Sequence, residues 1–215
     1  VHTFIGVSEC CSESLRLRPV FKSSAKLQRI YNGVPSPLPV ESNMVTFDLR
    51  ENLGIGSKPL CLMLGTYEPR KGHQFLFDAF ARISVKFPEC HLVICGDGTD
   101  DEKRKVAELR DVTIPDANVH LLGFIPDGSR LVYQADVLLV ASQEWESFGW
   151  TVIEAMVRGG PVVSTNAGGL AEVIGPTGVA GFSVDKSDVK GFSDGVQVLL
   201  SNPDKRSKMI SNGRL

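Results

Sequence analysis

From Pro59 onward, short apolar runs alternate with longer amphipathic stretches. The runs "PLCLMLG" (59–65), "HLVICG" (91–96), "NVHLLG" (118–123), "ADVLLVAS" (135–142) and "PVVSTN" (161–166) have the length of strands, and most are apolar without alternation. That pattern fits strands covered on both faces. Between the first two, Phe75, Leu76, Ala79, Phe80 and Ile83 recur at helical spacing, which predicts a helix over residues 73–86 that stops before Pro88. Further helices are predicted at 101–111, 127–134, 150–158 and 187–200, with another starting after Pro203. Alternation of this kind marks βαβ units, so the expected fold class is α/β, a doubly wound, Rossmann-like parallel sheet.

The first 58 residues read differently. "TFIGVSECCSESLRLR" (3–18) predicts a strand ending at Ser8 and then a helix; "LQRIYNGV" (27–34) predicts a second short strand; "PSPLPVESN" (35–43) is a Pro- and Ser-rich loop. The expected division is a remnant of a larger unit over 1–26 and one doubly wound domain over 27–215. The chain starts at Val1 without the pattern of a signal peptide, and is expected to be a fragment.

Composition narrows the function classes. The hydrophobic fraction, 42% of 215 residues, is ordinary for a globular domain. With 23 basic and 25 acidic residues and a net charge of −2, no dense basic run suggests a nucleic-acid partner, and no apolar run reaches the length of a transmembrane segment. The five cysteines include no C-x-x-C pair, so they are expected as reduced thiols in a reducing, cytoplasmic setting, with Cys61 and Cys95 buried in strands. A metal is not implied, because no Asp-x-Asp pair occurs.

In an open parallel sheet, ligands bind where strands deliver their carboxyl ends. The turns expected there, "GTYEPRKGH" (65–73), "GDGTDD" (96–101), "GFIPDG" (123–128), "SQEWESFG" (142–149) and "TNAGGLAE" (165–172), all carry glycine. Gly149 and Trp150 open the 150–158 helix, so the amides of Phe148, Gly149 and Trp150 can face an anion at its positive end. Glu146 precedes this turn and Glu154 follows it, amid apolar neighbours. A carboxylate can accept from two vicinal hydroxyls at once, so the two side chains are candidates to hold two sugars with a diphosphate between them. Arg70 and Lys71, at the end of the first strand, are candidates to neutralise a phosphate leaving group. Asp97 reads as a turn former, His2, His91 and His120 as structural or solvent-facing, His73 as placed near phosphate only by following Lys71-Gly72, and Trp145 and Trp150 as packing on a sugar face or in the core or a lid.

Together, "YNGV", "GTYEPRKGH", "LVICGDG", "VHLLGFIPD", the E-x7-E spacing within "ESFGWTVIEAM" and "GGPVVSTNAGGLAEVI" resemble the donor-binding, C-terminal half of a family 4 retaining glycosyltransferase of the GT-B fold. The resemblance runs from about Phe4 to at least Ser201. It implies that Glu146 binds hydroxyls of the transferred sugar and Glu154 the ribose diol. The backbone of Ser147, Phe148 and Gly149 would meet sugar and diphosphate, Lys71 would pair with the phosphates, and Phe124 and Ile125 would flank the base. Lys71 and Glu146 carry the catalytic assignment. Many members have arginine where Thr66 stands, and Arg70 is the expected substitute. No cofactor is implied; the substrate would be a UDP- or GDP-linked sugar, and a glycan, lipid or small-molecule acceptor would bind through a missing N-terminal domain, as would any membrane. The alternatives are a non-catalytic nucleotide-sugar-binding module and a GT-B-fold sugar-nucleotide epimerase.

Overall fold

The computed structural model describes residues 3–18, 26–35, 47–115 and 118–214. The first strand, β1 (Thr3–Gly6), leads into helix α1 (Glu9–Arg16) and pairs in parallel with β2 (Lys26–Arg29) as a separate two-stranded sheet, Thr3 opposite Lys26 and Gly6 opposite Arg29. Strand β2 thus straddles the division expected at residue 26. His2, and the loop expected at 35–43 beyond Pro35, lie outside the described residues.

A short helix, α2 (Leu49–Asn52), precedes the main sheet. Then β3 (Leu60–Leu64), α3 (His73–Lys86), β4 (His91–Cys95), α4 (Asp100–Thr113) and β5 (Val119–Leu122) form two right-sized crossover units. The chain returns through β6 (Val137–Val140), α5 (Trp150–Val157), β7 (Val162–Thr165), α6 (Leu170–Ile174), β8 (Phe182–Val184), α7 (Val189–Ser201) and α8 (Pro203–Gly213). The strand order is β5-β4-β3-β6-β7-β8, every pairing parallel. The order reverses between β3 and β6, which is where a doubly wound sheet opens a crevice.

Alternation within the strands builds two cores. Cys61 and Met63, Leu92 and Ile94, and Val137 and Leu139 face Phe75, Phe80, Ile83, Phe192 and Val196 of α3 and α7. Leu60 and Leu62, Val93 and Cys95, and Leu138 and Val140 face Leu131, Val152, Ala155, Met156 and Leu170 on the other side. Both faces are covered, which is why the strands carry little polar alternation. Cys61 and Cys95 are buried as expected, and burial pushes the Cys95 thiol up to about 12.

Four elements depart from the sequence expectation. Residues Gly128–Gln134 form a 3-10 turn, not an α-helix, entered from Asp127 at φ 54. Its buried residues, Leu131 and Val132, are adjacent and do not make the i, i+3, i+4 stripe of a seated helix. The short α2 and α6 and the three-residue β8 were not anticipated, since none is long enough to display a period. No helix among the described residues is long and apolar enough to cross a membrane.

Candidate functional site

The site lies at the carboxyl edge of the main sheet. After β3, the turn 65–72 is pinned across the neighbouring strand ends: the Tyr67 amide donates to the Asp97 carbonyl at 2.9 Å and the Tyr67 hydroxyl to the Leu122 carbonyl at 2.7 Å. Pro69–Lys71 makes one 3-10 turn, and Gly72 follows at φ 76. A Cβ on Gly72 would stand 2.0 Å from the Ala141 carbonyl oxygen, so only glycine lets the chain cross the end of β6. The Gln143 amide then donates to the Arg70 carbonyl at 2.8 Å. The consequence is that Arg70 and Lys71 arrive beside the loop that carries Glu146.

Glu146 is held unevenly. Its Oε1 accepts from Lys71 Nζ, from Arg70 Nη1 at 3.4 Å and from Ser142 Oγ at 2.8 Å. Its Oε2 accepts no hydrogen bond from the described residues. The side chains of Glu146 and Lys71 are 15% and 18% exposed. Arg70 is also gripped by Glu68, and this contact draws the Glu68 carboxyl below its usual range. Ser142 is buried and was not foreseen; its one sequence signal is its place at the end of the "ADVLLVAS" run, four residues before Glu146.

The following turn offers backbone. Gly149 at φ 95 caps α5, and the amides of Ser147, Phe148, Gly149 and Trp150 make no hydrogen bond to the described residues. The Phe148 ring is buried and lies 6.4 Å from the Tyr31 ring and 5.9 Å from the Trp150 ring. With its ring turned inward, Phe148 presents its peptide to the site. Behind the turn, Gly168 at φ 59 is so close that a Cβ would fall 2.2 Å from the Glu146 carbonyl oxygen. Trp145 and Trp150 are both half exposed.

A cavity of about 390 Å³ adjoins this cluster, with Thr66, Asp97, Phe124, Ile125, Ser129 and Glu154 in its wall. Phe124 stands exposed at the rim, whereas Ile125 packs on the core. Burial pushes the Glu154 carboxyl above its usual range, opposed in part by nearby Arg158. Such a side chain gains most from a partner that supplies hydrogen bonds. The predicted residues therefore fall in two adjoining groups: Thr66, Phe124, Ile125 and Glu154 share the cavity, while Arg70, Lys71 and Glu146 form the ion cluster. Gly65 joins them, lining the cavity and lying against the Lys71 stem, 3.7 Å from Cδ to a Cβ built there.

Of the other residues considered, Asp97 receives the Gly98 amide at 2.8 Å, the turn role expected of it, and also reaches the cavity. His73 is buried and stacked on Tyr67 at 5.6 Å, with neither ring nitrogen hydrogen-bonded. Burial and then Lys71 lower it to about 4, so it is neutral at pH 7 and offers no charge to a phosphate. His91 and His120 share a hydrogen bond of 2.9 Å at the opposite edge of the sheet.

A crevice with two fixed cations, free amides at a helix start and two carboxylates has the chemistry to hold a polyhydroxylated, phosphorylated ligand. The chain is 30% identical over 198 residues to a protein of Bacillus subtilis described as a putative glycosyltransferase, YtcC, covering 86% of this chain and 48% of that one. It is 31% identical over 158 residues to the phosphatidyl-myo-inositol mannosyltransferase of Mycobacterium tuberculosis, covering 71% of this chain and 40% of that one. In fold it matches the crystal structure of Anabaena Alr3699/HepE in complex with UDP-glucose, with a TM-score of 0.82, 24% identity, and coverage of 98% of this chain and 57% of that one. The chain spans about half the length of the curated relatives it matches, and its fold is that of GT-B glycosyltransferases. The pattern of the family described as glycosyl transferases group 1 matches residues 45–215, and this chain belongs to that family.

Proposed function

We propose that this chain is the donor-binding part of a retaining hexosyltransferase that takes a UDP- or GDP-linked sugar. The observation that carries the reading is the uneven holding of Glu146, whose Oε1 is filled by Lys71, Arg70 and Ser142 while Oε2 is left to a ligand. In this reading the sugar hydroxyls donate to Glu146, the ribose diol donates to Glu154, and the base lies in the cavity between Thr66 and the Phe124–Ile125 turn. The diphosphate meets the amides of Ser147 to Trp150, with Lys71 and Arg70 beside it.

The reaction breaks the bond between the anomeric carbon and the diphosphate and forms one to the acceptor hydroxyl on the same face. The hydroxyl proton leaves with the diphosphate. Lys71, Arg70 and the free amides stabilise charge as it develops on the departing phosphate. In this reading a glycan, lipid or small-molecule acceptor is held by a further, N-terminal domain, and holding it next to the donor contributes about 7–11 kcal/mol of the barrier reduction.

The test is calorimetric titration of the chain with UDP, GDP and their hexose conjugates. One base should bind with micromolar affinity and the other at least tenfold more weakly, with the sugar conjugate sensitive to Glu146→Gln. Failure of every nucleoside diphosphate to bind would remove the donor assignment.

A further inference from the structure

The site described above includes nothing from the first 18 residues, yet one of the two grips on its phosphate-facing turn comes from there. Ser8 is fully buried, and its Oγ donates to the Ser147 carbonyl at 2.7 Å, 139 residues away in sequence. The same Oγ accepts from the Cys11 amide at 3.1 Å, so it caps α1 and holds the turn at once. Cys11 Sγ adds a longer contact to the Ser147 carbonyl at 3.4 Å. From the other side, the Gly169 amide donates to the Glu146 carbonyl at 2.7 Å.

The placement of α1 is itself enforced. Glu172, on α6, accepts the Glu9 amide on both oxygens at 2.9 Å and the Tyr31 hydroxyl at 2.6 Å. Burial pushes this carboxyl up, but hydrogen bonds from Tyr31 and from the Glu9 and Cys10 amides, with Arg29 nearby, bring it below its usual range. Glu172 is thus an internal anion at the start of α1, and it fixes Ser8 over the turn.

A trans peptide is planar, with its N–H directed opposite to its C=O. Holding the Glu146 carbonyl inward turns the Ser147 N–H outward, and holding the Ser147 carbonyl inward turns the Phe148 N–H outward. Neither amide has a hydrogen bond to the described residues. We infer that Ser8 is a positioning residue for the donor diphosphate: through the Ser147 carbonyl it orients the Ser147–Phe148 peptide so that the Phe148 N–H faces the phosphates, with Glu172 as its anchor. The inference rests on the donor reading of the site. It adds that the segment carrying β1 and α1 belongs to the donor machinery, so that displacing this segment and releasing the nucleotide are linked.

The experiment uses the whole 215-residue chain with UDP and GDP, and uridine and guanosine as the phosphate-free probes. Ser8→Gly is the informative variant, because glycine retains most of the capping preference at a helix start while deleting the hydroxyl; Ser8→Ala is the second. For the base that the parent binds, both variants should weaken the diphosphate about tenfold and leave the nucleoside unchanged. In 15N spectra, the Phe148 amide of the parent should shift downfield on addition of the diphosphate, and in Ser8→Gly this shift should be largely lost. Equal loss of nucleoside and diphosphate, or undiminished diphosphate affinity in a folded variant, would overturn the positioning role while leaving the donor reading intact. A parent chain that binds neither UDP nor GDP would overturn both.

Discussion

Two carboxylates, Asp136 and Glu146, stand at opposite edges of the same sheet, and each is held by two cations. At the amino edge, Asp136 Oδ2 accepts from Arg50 at 3.2 Å and from the Leu60 amide at 2.9 Å, while Oδ1 accepts from Arg206 at 3.1 Å. Arg50 goes on to the carbonyls of Gly56, Lys58 and Gln134. Every oxygen there has a partner. At the carboxyl edge, Glu146 takes Lys71, Arg70 and Ser142 on one oxygen and leaves the other open among unbonded amides. A charge satisfied on both sides is part of the frame, whereas one satisfied on a single side keeps capacity for a ligand at little further desolvation cost.

Acid should sharpen the contrast with the largest effect. Each edge has histidine of lowered pKa: buried His73 near the site, lowered to about 4, and buried His91 with half-buried His120 at the amino edge, both lowered by burial first and then by nearby positive charge, which for His91 includes His120 itself. A lowered histidine pKa means that the unfolded chain binds protons first. For His73 the stabilisation is full above about pH 6.5 and is lost as pH falls towards 4. For His73 the expected loss is on the order of 3 kcal/mol, from about 1.36 kcal/mol per unit. Urea melts at pH 7 and pH 4.5 should show it, and His73→Phe should flatten the dependence by most of that amount.

Breaking the amino-edge cluster comes next. Asp136→Ala should lower stability by about 2–3 kcal/mol, less than the 3–5 of a fully buried pair because its side chain keeps 26% of its exposure. Nucleotide affinity, measured where the variant is folded, should not change. A large loss of affinity would mean that the two edges are coupled through β3 and β6.

At the carboxyl edge the readout is ligand binding. Glu154→Gln should weaken the nucleoside diphosphate by about 1–3 kcal/mol, the range for a hydrogen bond to a charged group and its loss. Its unfolding midpoint should hold or rise, since burial already opposes the carboxylate charge. Lys71→Ala should reduce diphosphate affinity by about 1–2 kcal/mol and nucleoside affinity far less, with the difference shrinking in high salt. Glu146→Gln should change nucleoside diphosphate affinity by less than about 0.5 kcal/mol, near the scatter of ordinary surface substitutions. Its effect should appear as lost preference among sugar conjugates.

Much of this arrangement is legible in the sequence. The helix expected at 73–86 is α3 with the same bounds, and the strands expected around 59–65, 91–96 and 161–166 contain β3, β4 and β7. Apolar period and turn residues are local signals, and long elements carry enough of them. The four-residue α2 and three-residue β8 are too short to repeat a period twice, so no pattern announces them. Residues 127–134 carried helix-compatible composition, but there the chain closes on itself in a 3-10 turn that seats Leu131 and Val132 together.

The sequence by itself determined the alternation of strands and helices, the covered faces of the sheet and the carboxylates, cations and glycines gathered at turns. Those follow from spacing along a few residues, which hydrophobic burial and backbone sterics read directly. The tertiary structure decided which of those groups meet. Lys71 reaches Glu146 across 75 positions because the strand order brings β3 beside β6, and Ser8 reaches Ser147 across 139 because Glu172 seats α1 against α6. Whether a carboxylate is closed on both oxygens, like Asp136, or open on one, like Glu146, depends on donors arriving from distant segments. That is a property of packing, which no local pattern encodes.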